Sequence, residues 1–242
     1  MSNLQTTALL FHRYAALQHP WVRCRLWLAF HWHRVVWRWS ITGAECAKRA
    51  LDAGATLIAL VILSPLFLLI AVLIKLEDGG PAFFAQTRVG QHGHEFKMFK
   101  FRSMCLDAEE RLKDLLSRNQ HAQGVTFKIV DDPRITRVGK WLRKFSLDEL
   151  PQLYNVFIGN MSLVGPRPPV PREVALYSIA DRRRLLIKPG ITCIWQISGR
   201  SEIDFSQQVL LDVEYIETHC FWVDVKILAK TVPAVLSGKG AC

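Results

Sequence analysis

The chain has 242 residues, half of them hydrophobic, with a formal net charge of +10 and a sequence pI of about 9.6. That length suits one good-sized domain plus an accessory segment, and leaves little room for a second catalytic domain. A composition both basic and apolar points to an anionic membrane surface or to phosphate-bearing ligands. Nucleic acid, the rival source of such charge, is disfavoured: there is no zinc-ligand spacing, no aromatic RNA-binding signature and no clear helix-turn-helix pattern.

Cys24, Cys46, Cys105, Cys193, Cys220 and Cys242 stand singly, without C-x-x-C pairs, and read as reduced cytoplasmic thiols. The pairs His31/His33 and His92/His94 lack an evident third metal ligand and read as solvated or interfacial. Met1–Leu10 lacks the charged start, long apolar run and small-residue site of a cleavable signal, so the N-terminus is expected to be retained. Residues 11–49 hold five of the eight tryptophans (Trp21, Trp27, Trp32, Trp37 and Trp39), and the first fifty residues carry seven Lys/Arg against the single acid Glu45. Amphipathic rings favour the headgroup layer and arginines favour anionic lipid, so an interfacial helix is expected here, with a basic tail of little order as the alternative.

Ala53–Ile74 follows, 22 residues without a charge, flanked by Lys48, Arg49 and Lys75. As a straight helix it reaches about 33 Å, enough for the hydrocarbon core. Ser64-Pro65 lies at its middle, where a proline removes a backbone hydrogen bond and kinks a helix. A simple span would also carry the basic N-terminal flank out of the cytoplasm, against the usual charge bias. Both points favour a re-entrant, Ser-Pro-kinked helix with its two ends on the cytoplasmic face, over a straight span.

Beyond Leu76 the pattern is that of a globular domain. Ala82–Thr87 and Glu95–Phe101 read as strands around a Gly90–Gly93 turn, Cys105–Asn119 as a helix, and Thr136–Lys144 as a short basic helix. A helix is expected from Ser146 to about Phe157, a stiff loop at Gly165–Pro169, and a helix over Arg172–Ile187. Lys188-Pro189-Gly190 turns the chain into Ile191–Ile197, and Phe221–Leu236 has the apolar stripe of one helix face. The expected fold is mostly α with a few short strands (α+β). Residues 1–47 form a basic Trp-rich interfacial segment, 48–76 the re-entrant membrane helix of a monotopic protein, and 77–242 a cytoplasmic catalytic domain.

Asp148-Glu149 has two readings. Ser146-x-x-Glu149 is a capping-box pattern, which accounts for both ends of the motif without chemistry. Arg134, Arg137, Lys140, Arg143 and Lys144 precede the pair, however, and Arg167 follows it. Carboxylates beside a phosphate-attracting surface make sense when a cation bridges them to phosphate or when one of them attacks it, and both point to phosphoryl transfer with Mg²⁺.

Five runs, Lys100–Met104, Asp132–Thr136, Ser146–Leu153, Met161–Pro168 and Lys188–Thr192, closely resemble the bacterial sugar transferase family of monotopic polyprenyl-phosphate phosphoglycosyl transferases. The resemblance covers about Lys48 to the C-terminus. It implies that Asp148 attacks the β-phosphorus of a UDP-sugar, that UMP leaves, and that undecaprenyl phosphate then removes the sugar phosphate from the enzyme. It gives Glu149 to the metal, Mg²⁺, and the partners are membrane lipids rather than nucleic acid. Arg143 and Arg167 are the best phosphate clamps, since the guanidinium fork matches phosphate oxygens. Lys100 and Arg102 come next, against surface solvation or membrane contact. Asp212 resembles a family acid and reads equally as a buried ion pair. Ser64 and Pro65 match the family's helix break. Cys193 stands where the family usually has glycine. An inactive membrane-tethered scaffold is the alternative function, and it would be expected to have lost part of the acidic and arginine set. The sequence leaves the sugar and the glycan pathway open.

Overall fold

The computed structural model describes residues 19–108, 110–111, 132–199 and 203–237, without the side chains of 37–42. Two compact units are Met1–Lys48 and Arg49–Cys242. Most of the expected Cys105–Asn119 helix lies outside the described residues. So do Cys242 and all of the first unit before residue 19.

Helix α1 spans Pro20–Asp78, 59 residues, and its Gly43–Asp78 portion is long and apolar enough to cross a membrane. Trp21, Trp27 and Trp32 are exposed along its early turns. Pro65 sits inside the helix and offers no N–H to the Val61 carbonyl one turn back. The Ser64 hydroxyl donates to that same carbonyl at 2.8 Å, so the acceptor that the proline orphans is satisfied locally. Leu57, Ile58, Val61, Ile62, Leu68 and Leu69 are exposed, a row of large side chains that water does not favour.

The opposite side of the same helix is buried. Ile70 and Ile74, each 3% exposed, pack with Phe101 and Leu142, and Leu66, Phe67, Val138, Leu147 and Leu150 close around them. Polar contacts extend this seam toward the helix start. Arg49 donates to the carbonyls of Val156 (2.7 Å) and Phe157 (2.5 Å), and Asp52 accepts from the Ser162 hydroxyl at 2.7 Å. Glu77, at the other end, accepts from the backbone N–H groups of Arg137 and Val138.

Strands β1 (Phe83–Val89) and β2 (Glu95–Phe101) pair antiparallel, Phe83 opposite Phe101 and Val89 opposite Glu95, as their alternation predicted. The period of two puts Phe101 against α1 while Met98 and Lys100 face the other way. Helix α2 (Arg137–Lys144) begins where expected, because the Thr136 hydroxyl accepts from Gly139 N–H at 2.9 Å. The expected helix from Ser146 to Phe157 is instead two pieces, a 3₁₀ turn at Leu147–Glu149 and α3 at Gln152–Ile158. Pro151, which has no N–H to donate, separates them. Gly159, at φ 94°, ends α3 in the left-handed conformation that glycine adopts without strain.

Strands β3 (Ser162–Val164) and β4 (Gly190–Thr192) pair parallel. Their approach needs glycine, since a Cβ on Gly190 would fall 2.0 Å from the Gly165 nitrogen. The long helix expected over Arg172–Ile187 does not form: α4 covers only Pro171–Val174, and a 3₁₀ turn follows at Asp181–Leu185. The Asp181 carboxylate takes the Ser178 N–H and hydroxyl at 2.8 and 2.7 Å, a local alternative to the helical ladder. Helices α5 (Ile194–Ser198), α6 (Phe205–Thr218) and α7 (Phe221–Ser237) complete the second unit. They enclose a second core of Val164, Tyr215 and Ile227. Helix α6 had no counterpart among the expected elements, although Asp204 caps it by accepting from Gln207 N–H at 2.8 Å.

Asn155, fully buried in α3, supplies the edge of β2 with a substitute strand partner. Its Oδ1 accepts from Phe99 N–H at 2.9 Å and its Nδ2 donates to the Lys97 carbonyl at 2.7 Å. Asn155→Leu keeps the branched shape and leaves both backbone groups unpaired in the interior. The expected loss is at least about 2 kcal/mol, which corresponds to a melting temperature roughly 4–8 °C lower in detergent.

Candidate functional site

The acidic pair sits on a turn held from two sides. Leu147 and Leu150, which flank it, pack against α1. Ser146 just before it adopts φ 52°, a left-handed conformation unusual for a residue with a Cβ. Its hydroxyl makes no cap hydrogen bond, so the capping-box reading is not what this segment adopts. Glu149 instead points to cations: Lys100 Nζ donates to its Oε1 at 2.8 Å, and Arg167 Nη1 stands 3.7 Å from the same oxygen.

Glu149, Lys100 and Arg167 line a cleft of about 200 Å³ together with Arg88, Met98, Gln152 and Gln196. The adjacent carboxylates are pushed in opposite directions. Burial lifts Asp148 above the usual carboxylate range, against the pull of Lys100 and Arg143 and with the help of the Glu149 charge. Burial also acts on Glu149, but Lys100, Arg167 and Arg88 outweigh it and hold the carboxyl down at about 2. Asp148 is 8% exposed, and among the described residues it accepts no hydrogen bond and forms no ion pair. Glu149 is therefore a fixed anion engaged by cations, whereas Asp148 is an uncommitted carboxyl beside it.

The other expected site residues divide. Arg143 is half-buried next to Asp148, with Nε donating to the Ser103 hydroxyl at 3.0 Å. Arg102 does not reach the cleft; it is buried and ion-paired with Asp78 at the end of α1. Asp212 is also outside the cleft lining, and of its two readings the structure has the buried ion pair, with Arg184 Nη2 at 2.6 Å. Burial pushes the Asp212 carboxyl up to about 6 despite Arg184. Cys193, 1% exposed, places its thiol 3.2 Å from Oε1 of the cleft residue Gln196, and burial raises its pKa. Sequence reasoning missed Arg88, Gln152 and Gln196. The signal available for the first was Gln86-x-Arg88 in a strand, which sets two polar side chains on one face.

No group of three or more His, Cys, Asp or Glu among the described residues is arranged to hold a metal ion. Two adjacent carboxylates do suit Mg²⁺, which commonly takes one or two protein oxygens and completes its shell with water and substrate phosphates.

A cationic cleft with paired carboxylates, set against an apolar helix, suits a protein that handles phosphate groups beside a membrane. The comparisons with known proteins agree. The family model described as bacterial sugar transferase matches residues 43–238, and the chain belongs to that family. It is 52% identical over 196 residues to a protein of Streptococcus agalactiae named galactosyl transferase CpsE, covering 81% of this chain and 43% of the relative. It is 44% identical over 198 residues to the exopolysaccharide production protein ExoY of Rhizobium meliloti, covering 81% and 88%. A third relative, named undecaprenyl-phosphate galactose phosphotransferase, from Salmonella typhimurium, is 44% identical over 197 residues, covering 80% of this chain and 41% of that protein. The chain thus spans less than half the length of the first and third of these relatives.

The Arg184–Asp212 pair yields a stability test. Asp212→Asn leaves a buried guanidinium without its counter-charge and should cost about 3–5 kcal/mol, read as a lower melting temperature. A double variant replacing both residues with apolar side chains of similar volume should recover most of the loss.

Proposed function

We propose that this protein transfers a sugar 1-phosphate from a UDP-sugar to undecaprenyl phosphate, releasing UMP, as the first membrane step in assembling an exopolysaccharide, capsule or O-antigen-type glycan. The observation that carries the reading is the opposed behaviour of the two carboxylates, one fixed among cations and the other uncommitted. The names of the relatives support the same lipid acceptor and the same kind of pathway.

In this reading an Asp148 oxygen forms a bond to the β-phosphorus of the donor while the bond from that phosphorus to the bridging oxygen breaks, and UMP leaves with that oxygen. Asp148 then carries the sugar phosphate. An oxygen of undecaprenyl phosphate attacks the same phosphorus, the acyl phosphate bond breaks, and the Asp148 carboxylate is restored. Dividing the transfer into two displacements is covalent catalysis by a carboxylate. Arg167 and Lys100 hold phosphate oxygens and stabilise the charge that shifts onto them, and Arg143 supports the Asp148 side. Glu149 would hold Mg²⁺, which when bound would supply positive charge to neutralise the diphosphate.

The anchor completes the reading. The exposed apolar side of α1 lies in lipid, re-entrant at Ser64-Pro65, with both ends and the catalytic unit on the cytoplasmic face of the bacterial inner membrane. The segmentation is the one expected from sequence: 1–47 interfacial, 48–76 in the membrane, 77–242 catalytic. That arrangement lets a soluble nucleotide sugar and a bilayer-held phosphate meet at one carboxylate.

The central test is UMP release by detergent-solubilised protein given Mg²⁺, a polyprenyl phosphate and a panel of UDP-sugars. Turnover is expected with at least one sugar and should vanish in Asp148→Asn; undiminished turnover in that variant removes Asp148 as nucleophile. Because the attacking form is the carboxylate and burial has raised its pKa, kcat/KM should fall on acidification at a pH above the ordinary carboxylate range. The same shift fixes the sign for stability. With the folded pKa above the unfolded one, ionising Asp148 lowers stability as pH rises through that window. Asp148→Asn should therefore melt no lower than the wild type at pH 7, which separates lost chemistry from lost fold. For topology, a single cysteine introduced near position 5 in a cysteine-free variant should be labelled from the cytoplasmic side only; periplasmic labelling would overturn the re-entrant arrangement.

A further inference from the structure

Arg88 is the charged residue of the cleft lining that neither the sequence motifs nor the mechanism above uses. It lies on β1, is buried, and among the described residues is bonded only to neutral groups. Nε and Nη2 donate to Gln86 Oε1 at 3.0 and 2.7 Å, and Nη1 donates to the Pro168 carbonyl at 2.9 Å. A guanidinium carries five N–H donors, so two remain, one on each terminal nitrogen. Among the described residues no carboxylate forms an ion pair with Arg88. Glu173 and Glu149 are the acids whose fields reach it, while Arg167 and Arg172 oppose its charge. Burial, first, and the Arg167 charge, second, depress its pKa to about 10.

An arginine needed only to tie β1 to the Pro168 loop has no reason to carry an uncompensated charge. Burying a cation without a counter-ion is costly, and a second cation beside it raises the cost. The charges around the cleft show what offsets it. Among the lining residues, Arg88, Lys100 and Arg167 are three cations against the one carboxylate Glu149, an excess matching a bound dianion. Gln86 fixes one edge of the guanidinium and the Pro168 carbonyl another, which orients the remaining donors in advance. Such a fork suits phosphate oxygens.

We propose that Arg88 is a substrate-binding residue for the donor's diphosphate, and that Gln86 is the positioning residue that holds its guanidinium. The inference rests on the donor being a nucleoside diphosphate sugar, and it extends the phosphate clamp from Arg167 and Lys100 to a third residue on a different element.

Two variants test it. Arg88→Met removes the charge and also frees the Pro168 carbonyl, so it could unfold. Gln86→Glu keeps shape and fold, and gives Arg88 a carboxylate partner in place of the missing anion. Each is compared with wild type by the KM for UDP-sugar in the UMP-release assay and, in an Asp148→Asn background, by the rise in melting temperature caused by inorganic diphosphate. Gln86→Glu is expected to melt at or above the wild-type temperature, to raise KM at least about tenfold, the worth of one charge-assisted hydrogen bond, and to lose most of the diphosphate-induced rise. A folded Arg88→Met should do the same with a larger effect on KM than on kcat. Wild-type KM and an undiminished diphosphate response in Gln86→Glu would overturn the role of Arg88. A wild type that turns over no UDP-sugar, yet is stabilised by diphosphate in an Arg88-dependent way, would instead count against the proposed function and leave the anion site standing.

Discussion

The packing of Ile70 and Ile74 against Phe101, Leu142, Leu147 and Leu150 is the contact on which the rest of this structure depends. It uses one helix for two purposes. One face of α1 is covered by the strand that carries Lys100 and by the turn that carries Asp148 and Glu149, while the other face remains exposed and apolar. Covering a large aliphatic side chain is worth roughly 1.5–3 kcal/mol. The seam therefore stabilises the Leu147–Glu149 turn and ties its position to whatever holds the helix. Arg49, Asp52 and Glu77 extend this coupling as hydrogen bonds to α3, β3 and α2.

On that platform the chemistry follows from unequal environments for two neighbouring carboxylates. Glu149 meets Lys100 and Arg167, which hold its carboxyl down at about 2, whereas Asp148 is buried with no direct partner among the described residues and is pushed the other way. Pairs of titratable groups driven apart by their surroundings are a signature of divided roles. The left-handed Ser146 gives the turn its shape, and Pro151 keeps the turn from merging with α3. A continuous helix would have fixed both carboxylates by helical spacing alone.

Other polar groups of the catalytic unit are structural by the same criterion. Arg184 and Asp212 are buried, paired with each other and absent from the cleft, and Arg184 lies over the rings of Tyr177 and Phe205. Arg102 secures Asp78 at the end of α1. Arg102 and Asp212 were both expected at the site from sequence, and both are ion-paired outside the cleft lining. Arg88 shows the reverse: it is buried and charged, and its partners are neutral.

Several features were legible from local sequence because their causes are local. The charge-free run Ala53–Ile74, the strands around Gly90–Gly93, the short basic helix after Thr136 and the stripe of α7 each depend on residues a few positions apart. The order of the motifs was also enough to indicate the family. Where local signals compete, the sequence misled. Ser146-x-x-Glu149 reads as a cap until Lys100, 49 residues away, takes the glutamate, and Arg172–Ile187 reads as a helix until Asp181 captures Ser178. The roles of Asp212 and Arg102, the isolation of Asp148 and the uncompensated charge of Arg88 were decided by tertiary structure alone. Burial and the identity of a side chain's partner are set by contacts between distant segments, and local periodicity carries no record of them.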